Sequence, residues 1–377
     1  MDICERYGLK RVLNAIGAPT IVGANVAAPE VAAAACEGLG VNVEIDELQR
    51  AACRVIARTT GAEAGCVTSS AASGLAITAA AAMTGPDLDR ITRLPDASGL
   101  RDEVILQAGH DINFGARISQ MVRLSGARVI SIGTANHADT FHLRGALSAR
   151  TAAVLYVVNG AVPLNGDFLP LPACVETAAR VDVPVIVDAA AEPDVRPFLA
   201  AGAALVITSG HKHMGAPTSG LICGRKDLVR ACYLQNWGIG RAMKVGKEGI
   251  FGLMAALERW SGGDREAAER RCAEIAAIFA ERLPVRETAR SDRIEIDTGA
   301  VSARDMANCL REHDPSIWVN DANDGRLTLD LRVLLPDDAR LAAEAIVRLL
   351  NNPRPPEEDV PYHDLYWSEQ RLLRWPD

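Results

Sequence analysis

The strongest constraint on how this chain folds is a rhythm in its middle. Between about residues 46 and 245, seven short apolar runs recur, at 65–68, 103–107, 128–132, 153–158, 183–188, 204–208 and 220–223, with helical stretches or loops between them. Runs of strand length that are apolar throughout are buried on both faces. Both faces of a sheet can be covered when helices connect parallel strands, so the pattern predicts an α/β fold with a large domain built on a seven-stranded, mostly parallel sheet. The last two runs are separated by too short a link for a helical crossover, so one edge strand is expected to run antiparallel. Hydrophobic residues make up 49% of the 377, aromatics only 4%, so Ala, Val, Leu and Ile must fill the core. That length suits one large and one small domain.

Outside the rhythm the character changes. Residues 1–45 read as an arm with a short helix, contributing to the small domain. The segment DELQRAACRVIARTTG is a strong helix, with Asp46 as N-cap and Gly61 just past its end. Residues 46–245 form the large domain. From 246, EGIFGLMAALERW and REAAERRCAEIAAIFAERL read as long helices, RIEIDTG and RLTLDLR as strands of an antiparallel sheet, and DDARLAAEAIVRLLNN as a closing helix. This is a small α+β domain, 246–377. Its tail is Pro-rich and then aromatic, and is expected to dock on a neighbour rather than to be a mobile end.

Residues able to carry chemistry gather at the ends of the apolar runs. The segment LVITSGHKHMGAPTSGLICGR places Lys212 at the tip of a strand, with Ser209 before it and His211 and His213 beside it. Desolvation lowers an amine's proton affinity and suits it to Schiff-base chemistry. Asp188 closes VPVIVDAAAE at another strand end. A lysine for an aldehyde and a carboxylate for a pyridine nitrogen are what pyridoxal phosphate (PLP) chemistry requires. Upstream, the hydroxyl-rich turn from Thr68 to Gly74, with Ser70, Ala71 and Ala72 at its centre, opens an Ala-rich helix. Helix N-termini seat phosphates well. His110 follows the next strand, in a loop made polar by Asp111 and Asn113, and can stack on a flat ring. Asn159 ends another strand and offers an amide to a phenolate or carboxylate. Either His211 or His213 can serve as acid or base near neutral pH. Turn, ring, amide, carboxylate and lysine come in order at successive strand ends, hence along one edge of one sheet.

Composition narrows the partners. The formal net charge is -8, and no basic stripe of the kind nucleic-acid binders carry is present. No segment approaches the length of a membrane span, and the N-terminus lacks a signal-peptide core. Nine cysteines are scattered with no metal-binding spacing, which fits reduced thiols in a cytoplasmic protein.

The passages RVLNAIGAPTIVGA, DELQRAACRVIARTTGAEAGCVTSSAASGL, GHDINFGARISQMVRLSGA, VPVIVDAAAE, SGHKHMGAPTSGLICGRKDL and GRAMKVGKEGIFGLMAALE, which cover most of residues 8–260, resemble the fold-type-I PLP enzymes, and within them the selenocysteine synthase-like group. That group contains tRNA-dependent selenium transferases and sugar-acid ammonia-lyases. The resemblance implies PLP as cofactor, Lys212 as its Schiff-base lysine and Asp188 as the pyridinium partner. It implies a phosphate cup at Ser70, Ala71 and Ala72 with Ser209 as a further contact, and His110 in the stacking position. GRAMKVGKE resembles an interface loop, which makes Arg241, Lys244 and Lys247 candidates for phosphate or substrate-anion contacts, and Arg332 is a candidate for a substrate carboxylate. A homodimer or higher homo-oligomer is expected.

Two departures bear on the reaction. The tRNA-dependent relatives carry an additional N-terminal domain, whereas here the family pattern begins near residue 8; with the acidic charge, this argues against tRNA. The ammonia-lyases read more like SGGKxIxGPQ around the lysine, where this chain has SGHKHMGAPTSG. The expected activity is a PLP-dependent lyase of the α,β-elimination or ammonia-lyase type acting on a small amino acid or amino-sugar acid. An aminotransferase or racemase is the alternative.

Overall fold

The computed structural model describes residues 2–158, 166–260, 265–288, 290–322, 325–360 and 373. The chain forms two compact units, one of residues 27–263 and one of residues 1–26 with 264–377.

The larger unit is built on seven strands: β1 (Ala64–Thr68), β2 (Glu103–Gln107), β3 (Arg128–Ile132), β4 (Thr151–Val157), β5 (Val185–Asp188), β6 (Leu205–Ser209) and β7 (Gly220–Gly224). Their order is β1-β7-β6-β5-β4-β2-β3. Strands β3, β2, β4, β5 and β6 pair in parallel. The antiparallel strand is β7, and it is not at the edge: it pairs antiparallel with both β6 and β1. The short link after β6 does force a reversal, but β1 then adds outside β7 and becomes the edge. Since β1 is reversed relative to β7, it points the same way as the parallel strands.

That edge strand is capped by a side chain. In helix α2 (Ile45–Thr60), which follows helix α1 (Pro29–Leu39), the buried Gln49 amide donates to the Val67 carbonyl at 2.9 Å and accepts from the Val67 N–H at 3.0 Å. The N–H and carbonyl of buried Val67 on the open side of the edge strand are thereby satisfied. The α2 boundary differs from expectation: Glu44 is the N-cap, and Asp46 lies in the first turn, where its carboxylate accepts from the Tyr233 hydroxyl. Gly61 does end the helix, at φ 75°.

Helix α3 (Ala71–Thr84) is buried nearly all round, which its Ala content permits. A side chain at Gly74 would sit 2.7 Å from Ile207, so glycine lets the helix lie directly on β6. Helix α4 (Lys247–Arg259) packs against α1 and α2. This packing moves the unit boundaries away from 45 and 245: apolar faces of α1 and α4 cover the larger core, so both belong to it.

The smaller unit has a four-stranded antiparallel sheet of β8 (Val285–Glu287), β9 (Arg293–Asp297), β10 (Asn320–Ala322) and β11 (Arg326–Asp330), in the order β10-β11-β9-β8. Helices α5 (Arg265–Ala280), α6 (Ala303–Glu312) and α7 (Pro336–Asn351) share a core with it around Leu13, Phe279, Ile294, Leu327 and Ile346. The N-terminal arm completes this unit: Val12–Asn14 pairs in parallel with Ser316–Trp318. The start of the tail packs on its own chain, where Arg354 pairs with Glu312 at 2.7 Å and Arg311 donates to the Val360 carbonyl at 2.9 Å. Its aromatic part lies outside the described residues.

Candidate active site

The C-terminal ends of β1, β2, β4, β5 and β6 lie along one edge of the sheet, where open α/β sheets bind ligands. Strand order sets the sequence of groups along that edge. The Ser70 turn follows β1, the Lys212 link joins β6 to β7, Asp188 ends β5, and His110 follows β2.

Ser70 is the N-cap of α3. Its hydroxyl accepts from the Ser73 N–H, and the Ser73 hydroxyl accepts from the Ser70 N–H, each at 3.0 Å. Thr68 braces the same turn by donating to the Ser70 carbonyl at 2.8 Å. Ser69, Ser70 and Ala72 are half-buried and Ala71 is buried. With the Ser73 N–H taken by Ser70, the Ala71 and Ala72 N–H groups are the first-turn donors without an intrahelical acceptor, the kind of donor that suits an anion. Backbone crowding shapes it too: a Cβ on Gly220 would lie 2.2 Å from the Ser70 carbonyl oxygen.

Asp188 is buried at the end of β5, and its carboxylate accepts from the Ala190 N–H at 3.1 Å. Burial raises its pKa to about 6, against the opposing pull of that hydrogen bond and of Lys212. Lys212 is half-buried, and desolvation lowers its pKa while Asp188 and Glu192 oppose the drop. Amine and carboxylate are therefore both desolvated, and each favours the charged form of the other. Ser209, buried at the end of β6, stands at the base of the same link.

The two histidines beside Lys212 differ. Both ring nitrogens of His211 are enclosed and lack a hydrogen bond of normal geometry, although the Ser219 backbone lies alongside. Burial first, and then Lys212, lowers its pKa. His213 is half-buried, and its Nε2 lies 2.8 Å from the Ala191 carbonyl, to which it donates. His110 is buried; its Nδ1 accepts from the Val157 N–H at 3.2 Å, and its ring meets Tyr156 edge-on at 4.8 Å. Burial lowers its pKa to about 4, so the ring is neutral. The polarity of the loop after it has a structural use, since Asp111 accepts from the Ser119 N–H at 2.8 Å and its hydroxyl at 2.9 Å.

Arg241 and Lys244 are exposed in the segment after 238. The Lys247 ammonium donates to the Leu39 and Val41 carbonyls at the end of α1, the position where a cation caps a helix, rather than standing open to an anion. Arg332 belongs to the smaller unit. Its Nε donates to Asp330 at 2.9 Å and lies 3.2 Å from Asp292, so one edge of the guanidinium is committed to carboxylates. Asn159 lies outside the described residues. Sequence reasoning missed Glu192, whose signal was its place four residues after Asp188 in VDAAAE.

A desolvated amine beside a buried carboxylate, with a helix N-terminus two strands away, fits PLP: amine for aldehyde, carboxylate for ring nitrogen, N–H groups for phosphate. Comparisons with known proteins agree. The family model of L-seryl-tRNA selenium transferase (SelA) matches residues 20–291. A D-glucosaminate-6-phosphate ammonia lyase from Salmonella typhimurium is 43% identical over 262 residues, covering 70% of this chain and 71% of that protein. A 5'-C-glycyluridine monooxygenase-decarboxylase from a Streptomyces species is 37% identical over 365 residues, covering 92% and 90%. The solved structure of a D-glucosaminate-6-phosphate ammonia-lyase superposes with a TM-score of 0.85 at 35% identity, covering 93% of this chain and 98% of that one. The chain thus belongs to the L-seryl-tRNA selenium transferase family, as an enzyme of fold type I whose cofactor is pyridoxal 5'-phosphate.

Proposed function

We propose that this enzyme is a PLP-dependent lyase that removes the β-hydroxyl and then the amine of a small amino acid or amino-sugar acid, releasing ammonia. The observation that carries the reading is the desolvated Lys212 amine beside the buried Asp188 carboxylate. The relatives support the substrate class. D-glucosaminate and 5'-C-glycyluridine are both α-amino acids with a hydroxyl on the next carbon, as is the seryl group in the family's description. A β-hydroxy-α-amino acid is therefore the common denominator.

When bound, PLP supplies a sink for the electron pair left as the α-proton departs. The protein supplies the rest. Lys212, held toward its neutral form by burial, removes the α-proton. Asp188 ionises against the protonated ring nitrogen, a positive charge that offsets the cost of its burial. The Ser70 turn, with Ala71 and Ala72, and Ser209 would hold the phosphate. Neutral His110 would stack on the ring, and Asn159 is assigned to a cofactor oxygen. Arg241 and Lys244 contact the anionic end of the substrate. Arg332 offers a carboxylate the guanidinium edge not held by Asp330. Of the two histidines beside Lys212 proposed to assist proton transfer, His213 is half-buried and His211 buried.

The enzyme is further proposed to act as a homodimer. An exposed apolar strip of Leu39, Val41, Val43 and Ile45, 40–62% exposed, supports this. Nine free cysteines suit the cytoplasm. Among the described residues no helix is long and apolar enough to cross a membrane. Net charge -8 favours a small molecule over tRNA.

The test is ammonia release by PLP-loaded enzyme from 2-amino-2-deoxy sugar acids, with and without a terminal phosphate, and from serine and threonine. Release without an added keto acid is expected. A strict need for a keto-acid acceptor overturns the reading in favour of an aminotransferase, and loss of optical activity alone favours a racemase. Oxygen uptake with carbon dioxide release favours the chemistry named for the Streptomyces relative, which matches more of the chain.

A further inference from the structure

The edge of the large sheet opposite the catalytic one also carries charge. The chain enters the neighbouring strands β4, β2 and β3 there, and an open cavity of about 680 Å³ lies among the three entries. Its charged lining is Arg101 and Asp102 before β2, Arg128 at the start of β3, and Arg150 before β4. Three guanidiniums face one carboxylate, an excess of positive charge in a chain whose formal net charge is -8. A concave wall with an excess of one sign concentrates ions of the other.

The backbones that carry the arginines are tied to one another. The Arg128 N–H donates to the Asp102 carbonyl at 2.7 Å, and the Glu103 N–H to the Arg150 carbonyl at 3.1 Å. The turn that forms one wall is closed by the Asp96 carboxylate, which accepts from the Ser98 N–H at 3.0 Å, and by the Leu100 N–H on the Ala97 carbonyl at 3.0 Å. Another part of the wall is Gly126, at φ 87°, where a Cβ would lie 2.1 Å from the Pro95 carbonyl oxygen. The cavity is therefore shaped before any ligand arrives, which lowers the cost of binding one.

The arginines retain donors. Buried Asp102 accepts from Arg150 Nε at 3.1 Å and Nη2 at 2.7 Å, which commits one edge of that guanidinium and leaves Nη1 without an acceptor among the described residues. Arg128 lies 3.7 Å from Glu103, an ion pair too long to be a hydrogen bond. The Arg101 side chain has no ion pair or hydrogen bond among the described residues. Guanidinium forks match the oxygens of phosphates, and bonds to such anions are stronger than neutral ones. The volume exceeds the needs of a bare phosphate and lies in the range of small-molecule pockets. Ser98 and half-buried Leu100 add a hydroxyl and an apolar surface for the group that the phosphate carries.

We propose that this cavity binds a phosphate monoester of sugar size. The proposal does not depend on the lyase reading. Strand β2 has five residues, so about 17 Å of chain separates the cavity from the catalytic edge.

The test is calorimetric titration of PLP-loaded enzyme with D-ribose 5-phosphate, ribose and inorganic phosphate, the bound cofactor keeping its own phosphate seat filled. D-ribose 5-phosphate is expected to bind saturably, more tightly than inorganic phosphate, and ribose not at all. Arg101 and Arg128 are exposed, so alanine at either position leaves the fold intact. Arg101→Ala and Arg128→Ala should each weaken the ester about tenfold, the loss of one charge-assisted contact. Arg123 is exposed and outside the lining, and Arg123→Ala removes the same charge with little expected effect. No saturable binding at millimolar ester overturns the proposal, as does inorganic phosphate binding equally well. An equal loss in Arg123→Ala overturns it by tracing binding to net charge. A loss in Arg241→Ala with none in Arg101→Ala overturns it by placing the ester at the active site.

Discussion

At the scale of single residues, the site is a study in desolvation. Asp188 carries a carboxyl whose pKa is about 6 in the folded chain against 3.8 ordinarily. The sign of the linkage follows. A raised acid is protonated in the folded state where the unfolded state has released its proton, so stability is greatest below 3.8 and falls as pH rises to about 6. The cost is about 3 kcal/mol at neutral pH, from about 1.4 kcal/mol per pH unit. In cofactor-free protein, Asp188→Asn should therefore raise the melting temperature at pH 7 and have much less effect at pH 4, while weakening PLP binding. Equal melting shifts at both pH values would show that the buried charge is not the cause. In the proposed assignment, the cofactor's ring cation would offset that cost.

At the scale of elements, the β6–β7 hairpin and the β1–α3 turn are locked together by backbone contact. A methyl on Gly220 would meet the Ser70 carbonyl carbon at 2.3 Å and the Thr68 hydroxyl at 2.4 Å, and backbone yields poorly. Gly220→Ala should cost about 1–3 kcal/mol, the range of overpacking in a well-filled core, and weaken phosphate binding more than a cavity mutation of similar cost. Chemical denaturation and PLP titration measure the two effects. Unaltered PLP affinity in a destabilised variant would uncouple the turn from the hairpin. Much of this level was legible in the chain. The seven apolar runs correspond to the seven strands; six are buried along most of their length, which leaves a continuous apolar signature, while the edge strand β3 is only partly buried. The place of β7 was not legible, because local sequence shows that a link is short but not which strand adds next.

At the scale of the whole molecule, the apolar strip from Leu39 to Ile45 bears on assembly. It carries four exposed large side chains within seven residues. If it closes a dimer, replacing Val41 and Val43 with Asp should shift the mass in light scattering toward monomer and lower activity with it, if residues such as Arg241 serve a neighbouring site. A monomeric wild type would remove the proposal.

The sequence by itself determined the fold class and the order of chemical groups along the sheet edge, because strand periodicity and strand-end residues are local properties. It also pointed to Lys212 and Asp188. Only the tertiary structure decided which neighbours each group has. It sealed the nitrogens of His211 while turning His213 onto Ala191, gave Lys247 to the end of α1, and engaged Arg332 with Asp330. Apart from the local Arg332–Asp330 pair, those outcomes depend on contacts between residues far apart in the chain, and burial at a given atom exists only once those contacts are made.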